Sequence, residues 1–353
     1  MMVLGRSRQK RLFLWLLILA VVALIIVKIA STGGSLLRIQ NRHRHNLYDN
    51  IEYFPDKKPT LCAPVLDKDL EPAKPGVKYG RPVRQLKHVM YTSVPKCGSR
   101  SLIWVMWEIY GHYNSSDIKD FEYRLNASPV EKEKAFLNKL LNQAERPTFF
   151  HAHHRFLNYE EEDGPVYVSI LREPVSRFIS WYYFMRHGDA DMNDTAALQE
   201  MLGRNSALPN ETIDDCIKNK REDCTGDYYY TLNINIFCGY DTRCSKDKTF
   251  ALREAKKNLD KYMVVGLMEE FEDTVRVLEK LMPSMFGGGA ILYKKIMADS
   301  VNISKTKFKK TPSAETLDIL KSRMKEDIEF YEYAKQKFHE LKYALKIGTT
   351  RNC

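Results

Sequence analysis

Hydrophobic and polar positions change pattern several times along this chain, and each change predicts a structural element. Residues 12–27, LFLWLLILAVVALIIV, form an unbroken apolar run, and two more apolar residues follow Lys28. Because Lys28 can extend its amine to the membrane surface, residues 12–30 can cross a thin bilayer. The basic stretch RSRQKR before this run favours a cytosolic tail at 1–11 and a lumenal remainder. We therefore predict a single-pass signal anchor, with a signal peptide cleaved near 30–35 as the alternative.

Residues 31–85 show little periodicity and contain many prolines, as is typical of a stem that lacks a packed core. From residue 86 to residue 353, apolar β-branched runs alternate with runs of helical period. This alternation predicts one α/β domain, with a central, mostly parallel sheet flanked by helices. Strands are predicted at 88–94, 147–156, 165–171 and 262–267, and helices from 99, from Pro174, at 269–286 and at 314–344.

The loop SVPKCGSRS (93–101) connects the first predicted strand to the first predicted helix. In parallel α/β sheets, ligands bind at the carboxyl ends of strands, and N–H groups at a helix N-terminus attract anions. Lys96 and Arg100 add positive charge, while Ser99 and Ser101 add hydroxyl donors. The lysine precedes the glycine, so the G-x-x-x-x-G-K-[ST] signature of nucleoside triphosphatases is absent. The loop is predicted to hold a phosphate, and a turn that binds nothing is the alternative.

A second anion site is predicted after the strand at 165–171. Arg172 leaves that strand, and Ser180 follows two helical turns later. An arginine and a hydroxyl together can clamp a phosphate. Two such sites on neighbouring strands suit a nucleotide that is phosphorylated at both ends. The alternative is that Arg172 pairs with Glu173 at the surface.

The sequence HAHH provides a candidate reactive group. Strand alternation predicts that His151 and His153 share one face and that His154 lies on the other. A neutral imidazole can remove a proton from a sugar hydroxyl near neutral pH. A metal site has no third ligand at recognisable spacing, and a purely structural histidine is the other alternative.

Charge and cysteine content indicate the compartment and the partner. The formal net charge of +10 favours polyanions, and in a lumenal protein an acidic glycan fits better than nucleic acid. In an oxidising lumen, disulfides Cys216–Cys224 and Cys238–Cys244 are plausible, and a zinc site is the alternative. The pairing of Cys62, Cys97 and Cys353 stays open. Sequons for N-glycosylation occur at Asn114, Asn126, Asn193, Asn210 and Asn302.

Four motifs together, VPKCGSRS, HAHHRFLNY, LREPVSRFISWYYFMR and FCGYDTRC, resemble the hexuronyl 2-O-sulfotransferases. The resemblance covers about residues 86–345 and is nearer to the uronyl (dermatan/chondroitin) branch than to the heparan sulfate branch. It implies a P-loop-like sulfotransferase fold and 3′-phosphoadenosine 5′-phosphosulfate (PAPS) as sulfuryl donor, with PAP as product. It also implies a Golgi type II membrane protein, a glycosaminoglycan acceptor, a homotrimer and no metal.

The resemblance assigns roles to individual residues. Lys96 corresponds to the lysine at the sulfate-bridging oxygen, His153 to the catalytic base and His151 to a neighbouring substrate-side histidine. The two disulfide spacings also match the family. The 5′-phosphosulfate loop is implied to comprise Lys96, Cys97, Gly98, Ser99, Arg100 and Ser101, and the 3′-phosphate clamp Arg172 and Ser180, with Thr306 and Lys309 from a C-terminal cofactor loop.

The sequence departs from the family pattern on the acceptor side. Ser93 stands where both branches carry arginine, and Ser304 stands where the heparan branch carries arginine. Between Gly188 and Asp194 the sequence GDADMND is acidic, whereas the heparan branch has arginines that grip the acceptor. The donor half is therefore better supported than the acceptor half.

The sequence as a whole predicts sulfuryl transfer from PAPS to the 2-hydroxyl of a hexuronic acid in a glycosaminoglycan. His153 would act as the base, and Lys96 would stabilise the leaving phosphate. The alternatives are an inactive lumenal glycan-binding relative and a lumenal phosphotransferase. The sequence leaves open whether the uronic acid is iduronic or glucuronic, and which polymer carries it.

Overall fold

The computed structural model describes residues 88–110, 118–120, 130–144, 147–159, 164–188, 208–300 and 305–348, with the backbone alone at 118–120, 143 and 297–300. The predicted tail, anchor and stem lie outside these residues. So do Cys62, Ser304, Cys353, the acidic stretch after Gly188 and the sequons other than Asn210. Within the described part of the chain, no helix has both the length and the apolarity needed to cross a bilayer.

Five parallel strands form one sheet at the centre of the domain. They are β1 (His88–Thr92), β2 (Ile118–Asp120), β3 (Thr148–Ala152), β4 (Val166–Leu171) and β5 (Val264–Leu267), in the order β2-β3-β1-β4-β5. Every residue of β1, β3, β4 and β5 is buried, as expected for parallel strands covered on both faces. The predicted α/β fold with a parallel sheet is confirmed, and β2 is an additional strand.

Helices surround this sheet. They are α1 (Ser99–Tyr110), α2 (Val130–Gln143), α3 (Pro174–His187), α4 (Ile213–Lys218), α5 (Glu222–Thr225), α6 (Asp227–Tyr230), α7 (Leu232–Cys238), α8 (Lys248–Leu259), α9 (Phe271–Leu281), α10 (Pro283–Phe286), α11 (Gly289–Ser300), α12 (Ala314–Arg323) and α13 (Lys325–Ala344). Short 3-10 turns occupy Thr242–Ser245 and Met268–Glu270.

The single helix predicted at 314–344 is wrong in one respect, because the structure breaks it at Met324 into α12 and α13. Leu320 and Met324 pack in a small hydrophobic cluster against α3, whereas Phe330 and Phe338 pack in the main core. Just after the break, the buried Asp327 carboxylate accepts the N–H groups of residues 233 and 234 at the start of α7. Because the helix breaks at Met324, α12 and α13 can pack their apolar faces against different partners.

Local sequence explains why α3 begins and ends where it does. The Glu173 carboxylate accepts the N–H groups of Val175 and Ser176, and Pro174 occupies the first helical position. At the other end, Gly188 takes a positive φ of 66° and donates its N–H to the Phe184 carbonyl. Helix α3 therefore starts directly after β4, at the carboxyl edge of the sheet.

Candidate active site

The loop between β1 and α1 is tightly folded and depends on a glycine. Gly98 has a φ of +84°, and a Cβ at this position would lie 2.3 Å from the Met268 sulfur. Lys96 also adopts a left-handed backbone, with a φ of 66°. The Cys97 N–H donates to the Val94 carbonyl at 3.2 Å, which closes the turn. No acidic residue occupies the first turn of α1, so nothing there opposes an anion at the helix N-terminus.

Lys96 links this loop to the β4–α3 junction. Its ammonium nitrogen lies 3.8 Å from the centroid of the Phe184 ring on α3, in cation–π geometry. Its carbonyl accepts a hydrogen bond of 3.3 Å from Nη1 of Arg172. The two segments predicted to hold opposite ends of a nucleotide are therefore in direct contact.

His153 follows β3 and faces the same loop. Its Nδ1 lies 2.5 Å from the Ser93 carbonyl, and the Ser93 N–H in turn donates to the Ala152 carbonyl at 3.0 Å. A carbonyl only accepts, so Nδ1 carries the proton and donates it. In the neutral ring, the lone pair is then on Nε2. This is the tautomer that a general base requires.

The two other histidines of HAHH lie elsewhere. His151 is inside β3, 3% exposed, with its ring 6.2 Å from that of Phe149. The Nδ1 of His154 donates to the Arg155 carbonyl at 2.9 Å, and its Nε2 is 3.4 Å from the Thr92 hydroxyl. Burial lowers the pKa of His154 to about 4. The structure therefore brings His153 to the loop, buries His151 within β3 and leaves His154 half-buried beside Thr92.

The C-terminal segment predicted to contact the cofactor docks on α3. The hydroxyls of Ser180 and Thr306 are 3.2 Å apart, and the Lys307 N–H donates to the Gly188 carbonyl at 3.3 Å. Burial, with the positive charges of Arg172 and Lys305, lowers the pKa of Lys309. The charges of Lys309, Arg172 and Lys305 repel one another, and a bound anion would relieve this repulsion. The cluster therefore fits a site for an anion.

The N-terminus of α3 is already capped by Glu173, so side chains rather than helix N–H groups are left to form the predicted second anion site. The backbone N–H of Glu173 donates to Glu269 at 2.9 Å, and the Tyr331 hydroxyl donates to the same carboxylate at 3.0 Å. Glu269 and Tyr331 thus fix the junction that carries Arg172. Neither residue was predicted, because no motif or spacing connects β5 and α13 to this loop.

The pairing of four cysteines decides between the disulfides and the alternative zinc site. Cys216–Cys224 and Cys238–Cys244 are disulfides, as predicted, so their sulfurs are not available as zinc-binding thiolates. Among the described residues, one group has metal-ligand spacing, and it contains the first of these disulfides together with Asp223. Cys97 is a free, fully buried thiol, and burial raises its pKa to about 12.

Comparison with known proteins identifies the family. A family profile described as "Sulfotransferase family" matches residues 83–334. The chain belongs to the sulfotransferase family. Uronyl 2-sulfotransferase of Mus musculus is 33% identical over 265 residues, which is 73% of this chain and 64% of the mouse protein. Heparan sulfate 2-O-sulfotransferase 1 of Xenopus laevis is 30% identical over 261 residues, 71% of this chain and 70% of the frog protein. The resemblance predicted from the four motifs is confirmed.

This chain matches its sequence relatives over part of their length and the solved structures at a low TM-score. The chain spans a little under two thirds of the length of the uronyl 2-sulfotransferases that it matches. Among solved structures, mouse sulfotransferase SULT7A1 complexed with PAP matches 75% of this chain and 90% of its own, with 13% identity and a TM-score of 0.29.

Proposed function

We propose that this chain transfers a sulfuryl group from PAPS to the 2-hydroxyl of a hexuronic acid in a glycosaminoglycan. The observation that carries the proposal is the hydrogen bond from His153 Nδ1 to the Ser93 carbonyl, which leaves Nε2 as a base beside the Lys96 loop. The similarity to uronyl 2-sulfotransferase and to heparan sulfate 2-O-sulfotransferase 1 supports the same acceptor class.

The described residues fit a donor with phosphates at both ends. The Lys96–Ser101 loop would hold the 5′-phosphosulfate, and Arg172, Ser180, Thr306 and Lys309 would hold the 3′-phosphate. PAPS would supply an activated sulfuryl group. Nε2 of His153 would take the proton of the acceptor hydroxyl, and the Lys96 ammonium would offset charge growing on the leaving phosphate oxygen. A lysine can supply this compensation, so the proposed reaction needs no metal.

Location and assembly follow from the same proposal. An acceptor of this kind is modified in the Golgi lumen, and the apolar segment at 12–30 would anchor the chain there as a type II protein. Two disulfides and the sequons fit an oxidising lumen. A homotrimer is proposed on the family resemblance alone. His151 stays a proposed substrate-side residue, and in this structure it lies buried within β3.

Replacing His153 tests the proposed base. His153→Ala should lower turnover of labelled PAPS by about 10²–10⁴-fold, because no other group would take the proton. PAP affinity, measured by calorimetry, should stay within about twofold, since His153 is not among the residues proposed to hold a phosphate. His339→Ala, which changes a half-exposed histidine on α13, is the matched control. Retained turnover, or loss of PAP binding, would contradict the assignment.

Two measurements distinguish the alternative functions: stabilisation by a bound nucleotide, and transfer of label from PAPS. A phosphotransferase should be stabilised against heat by ATP with Mg²⁺, whereas the proposed enzyme should respond to PAP. An inactive glycan-binding relative, which the acidic stretch after Gly188 favours, would bind heparin but transfer no label. Transfer from labelled PAPS onto desulfated heparin, dermatan and chondroitin, followed by disaccharide analysis, would identify the acceptor and the uronic acid.

A further inference from the structure

An aromatic side chain stands exposed beside the candidate site. Phe308 is 73% exposed, and its backbone has a φ of 51°, a left-handed conformation that is unfavourable for a residue with a large side chain. Its ring meets that of His187 edge to face, with centroids 5.3 Å apart. A strained backbone that displays an apolar ring to solvent is explained by binding better than by folding.

The loop that carries Phe308 is hydrogen-bonded to α3 and its C-cap just before the strained residue. Thr306 contacts Ser180, and Lys307 contacts Gly188 through the backbone. Lys309 lies close enough to Arg172 for the guanidinium charge to lower its pKa. Phe308 is therefore displayed by a fastened loop.

The direction of α3 places Phe308 relative to the chemistry. Ser180, Phe184 and His187 follow one another at helical spacing on one face, over about 10 Å of helix. Ser180 belongs to the proposed phosphate clamp. The Phe184 ring contacts the Lys96 ammonium, and the His187 ring contacts the Phe308 ring. Along α3, the Phe184 ring that contacts Lys96 lies between Ser180 and His187. The Phe308 ring is thus displaced along α3 from Ser180, beyond the contact of Lys96, although Thr306 and Lys309 of the same loop belong to the proposed clamp.

The charges around Phe308 are all of one sign in the loop. The segment KTKFKKTPS, from Lys305 to Ser313, has no acidic residue. Lys310 is exposed two residues after Phe308, and burial, followed by the charges of Arg186 and Lys310, lowers the pKa of His187. The lowered pKa favours the neutral imidazole, which offers an aromatic surface against Phe308.

We propose, building on the function proposed above, that Phe308, His187 and Lys310 form a subsite for an acidic sugar of the glycosaminoglycan acceptor, next to the sugar that is sulfated. The C–H face of a pyranose ring would pack on Phe308, and its carboxylate or sulfate would pair with Lys310. This subsite supplies the positive charge that the acidic stretch after Gly188 does not provide.

The test measures donor and acceptor binding separately on the full-length chain. Binding of a size-defined heparin oligosaccharide is measured by calorimetry at saturating PAP, and binding of PAP is measured alone. Phe308→Ala should weaken oligosaccharide binding about fivefold, and Lys310→Ala about threefold with a smaller salt dependence. Both should leave PAP affinity within about twofold. Phe308→Tyr, which keeps the ring, should bind the oligosaccharide like the wild type.

Controls of the same chemistry lie on α12 and α13, outside the loop at 305–310. Tyr343→Ala removes an aromatic ring that is 78% exposed on α13, and Lys321→Ala removes an exposed charge on α12. The proposal is overturned if Phe308→Ala binds the oligosaccharide like Tyr343→Ala, or if it loses PAP affinity as strongly as oligosaccharide affinity. A wild type that binds PAP but not the oligosaccharide also overturns it and spares the donor site. If the wild type does not bind PAP, the proposed function itself is wrong.

Discussion

At the scale of single residues, the site depends on Lys96 being held in a defined place. A lysine has a flexible stem, and its ammonium needs partners to stay in one position. The Phe184 ring provides one partner at 3.8 Å, and the left-handed backbone at Lys96 sets the direction in which the side chain leaves the loop. If Lys96 has the proposed role, Phe184 is a positioning residue for the lysine rather than a catalytic one.

Removing the Phe184 ring should misplace the lysine without emptying the phosphate sites. Phe184→Leu should lower kcat about fivefold, the size of one cation–π contact. PAP affinity and thermal stability should change little, because leucine keeps most of the apolar volume. Phe184→Tyr should restore kcat. Steady-state kinetics with labelled PAPS measures this, and a purely structural role would instead lower stability equally in both variants.

At the scale of elements, α3 carries more of the site than any motif indicates, and a buried ion network fastens it. The Nη2 of Arg186 lies 2.5 Å from Asp223 and 3.3 Å from Glu211, and its guanidinium covers the Tyr182 ring. Burying charges is tolerated only when they are paired in this way. Asp223 adjoins Cys224, so the first disulfide holds the network that holds α3.

The two disulfides should therefore differ in their effect on donor binding. Replacing Cys216 and Cys224 by alanine opens a loop with a sequence separation of 8, and doing so at Cys238 and Cys244 opens one of 6. Each change should cost about 2–3 kcal/mol of unfolding free energy, by chain entropy. PAP affinity should fall in the first variant only. Urea denaturation and calorimetry measure the two quantities, and equal PAP affinities would show that α3 does not depend on the disulfide.

At the scale of the whole molecule, folding half-buries a histidine that must stay neutral. His154 lines a small cavity together with Leu157 and Tyr167 and is hydrogen-bonded through both ring nitrogens. Burial, followed by the nearby charge of His153, lowers its pKa to about 4, whereas the Arg155 carbonyl opposes the shift. The unfolded chain binds a proton near pH 6.5 and the folded chain does not, so folding is linked to pH.

The sign of this linkage is defined by the lowered pKa. The stability due to neutral His154 is complete above about pH 6.5 and is lost as pH falls through about 4, amounting to at most about 3 kcal/mol. His154→Gln should therefore lose less unfolding free energy than the wild type between pH 7 and pH 5. Urea denaturation at several pH values measures the difference, and parallel losses would exclude His154 as the group responsible.

The parts of this protein that the sequence by itself determined are those encoded by neighbouring residues. Buried β-branched runs defined β1, β4 and β5, the spacing of Cys216–Cys224 and Cys238–Cys244 defined two local loops, and motif order indicated the family. Each of these signals arises within a few residues of chain. Several elements were not predicted. Two of them have weak local signals, since β2 is three residues long and α2 is largely polar, and the helices between 213 and 259 and helix α11 were missed as well.

Only the tertiary structure decided how these parts meet. Sequence could not show that His153 leaves its strand to donate to Ser93, that Lys96 rests on Phe184, or that Glu269 and Tyr331 fix the Arg172 junction. It also could not show that the loop at 305–310 docks on α3, with Thr306 and Ser180 separated by 126 positions. The physical reason is that such contacts join segments far apart in the chain. Their free energy depends on the packing of the sheet and its helices, and no local pattern of side chains records it.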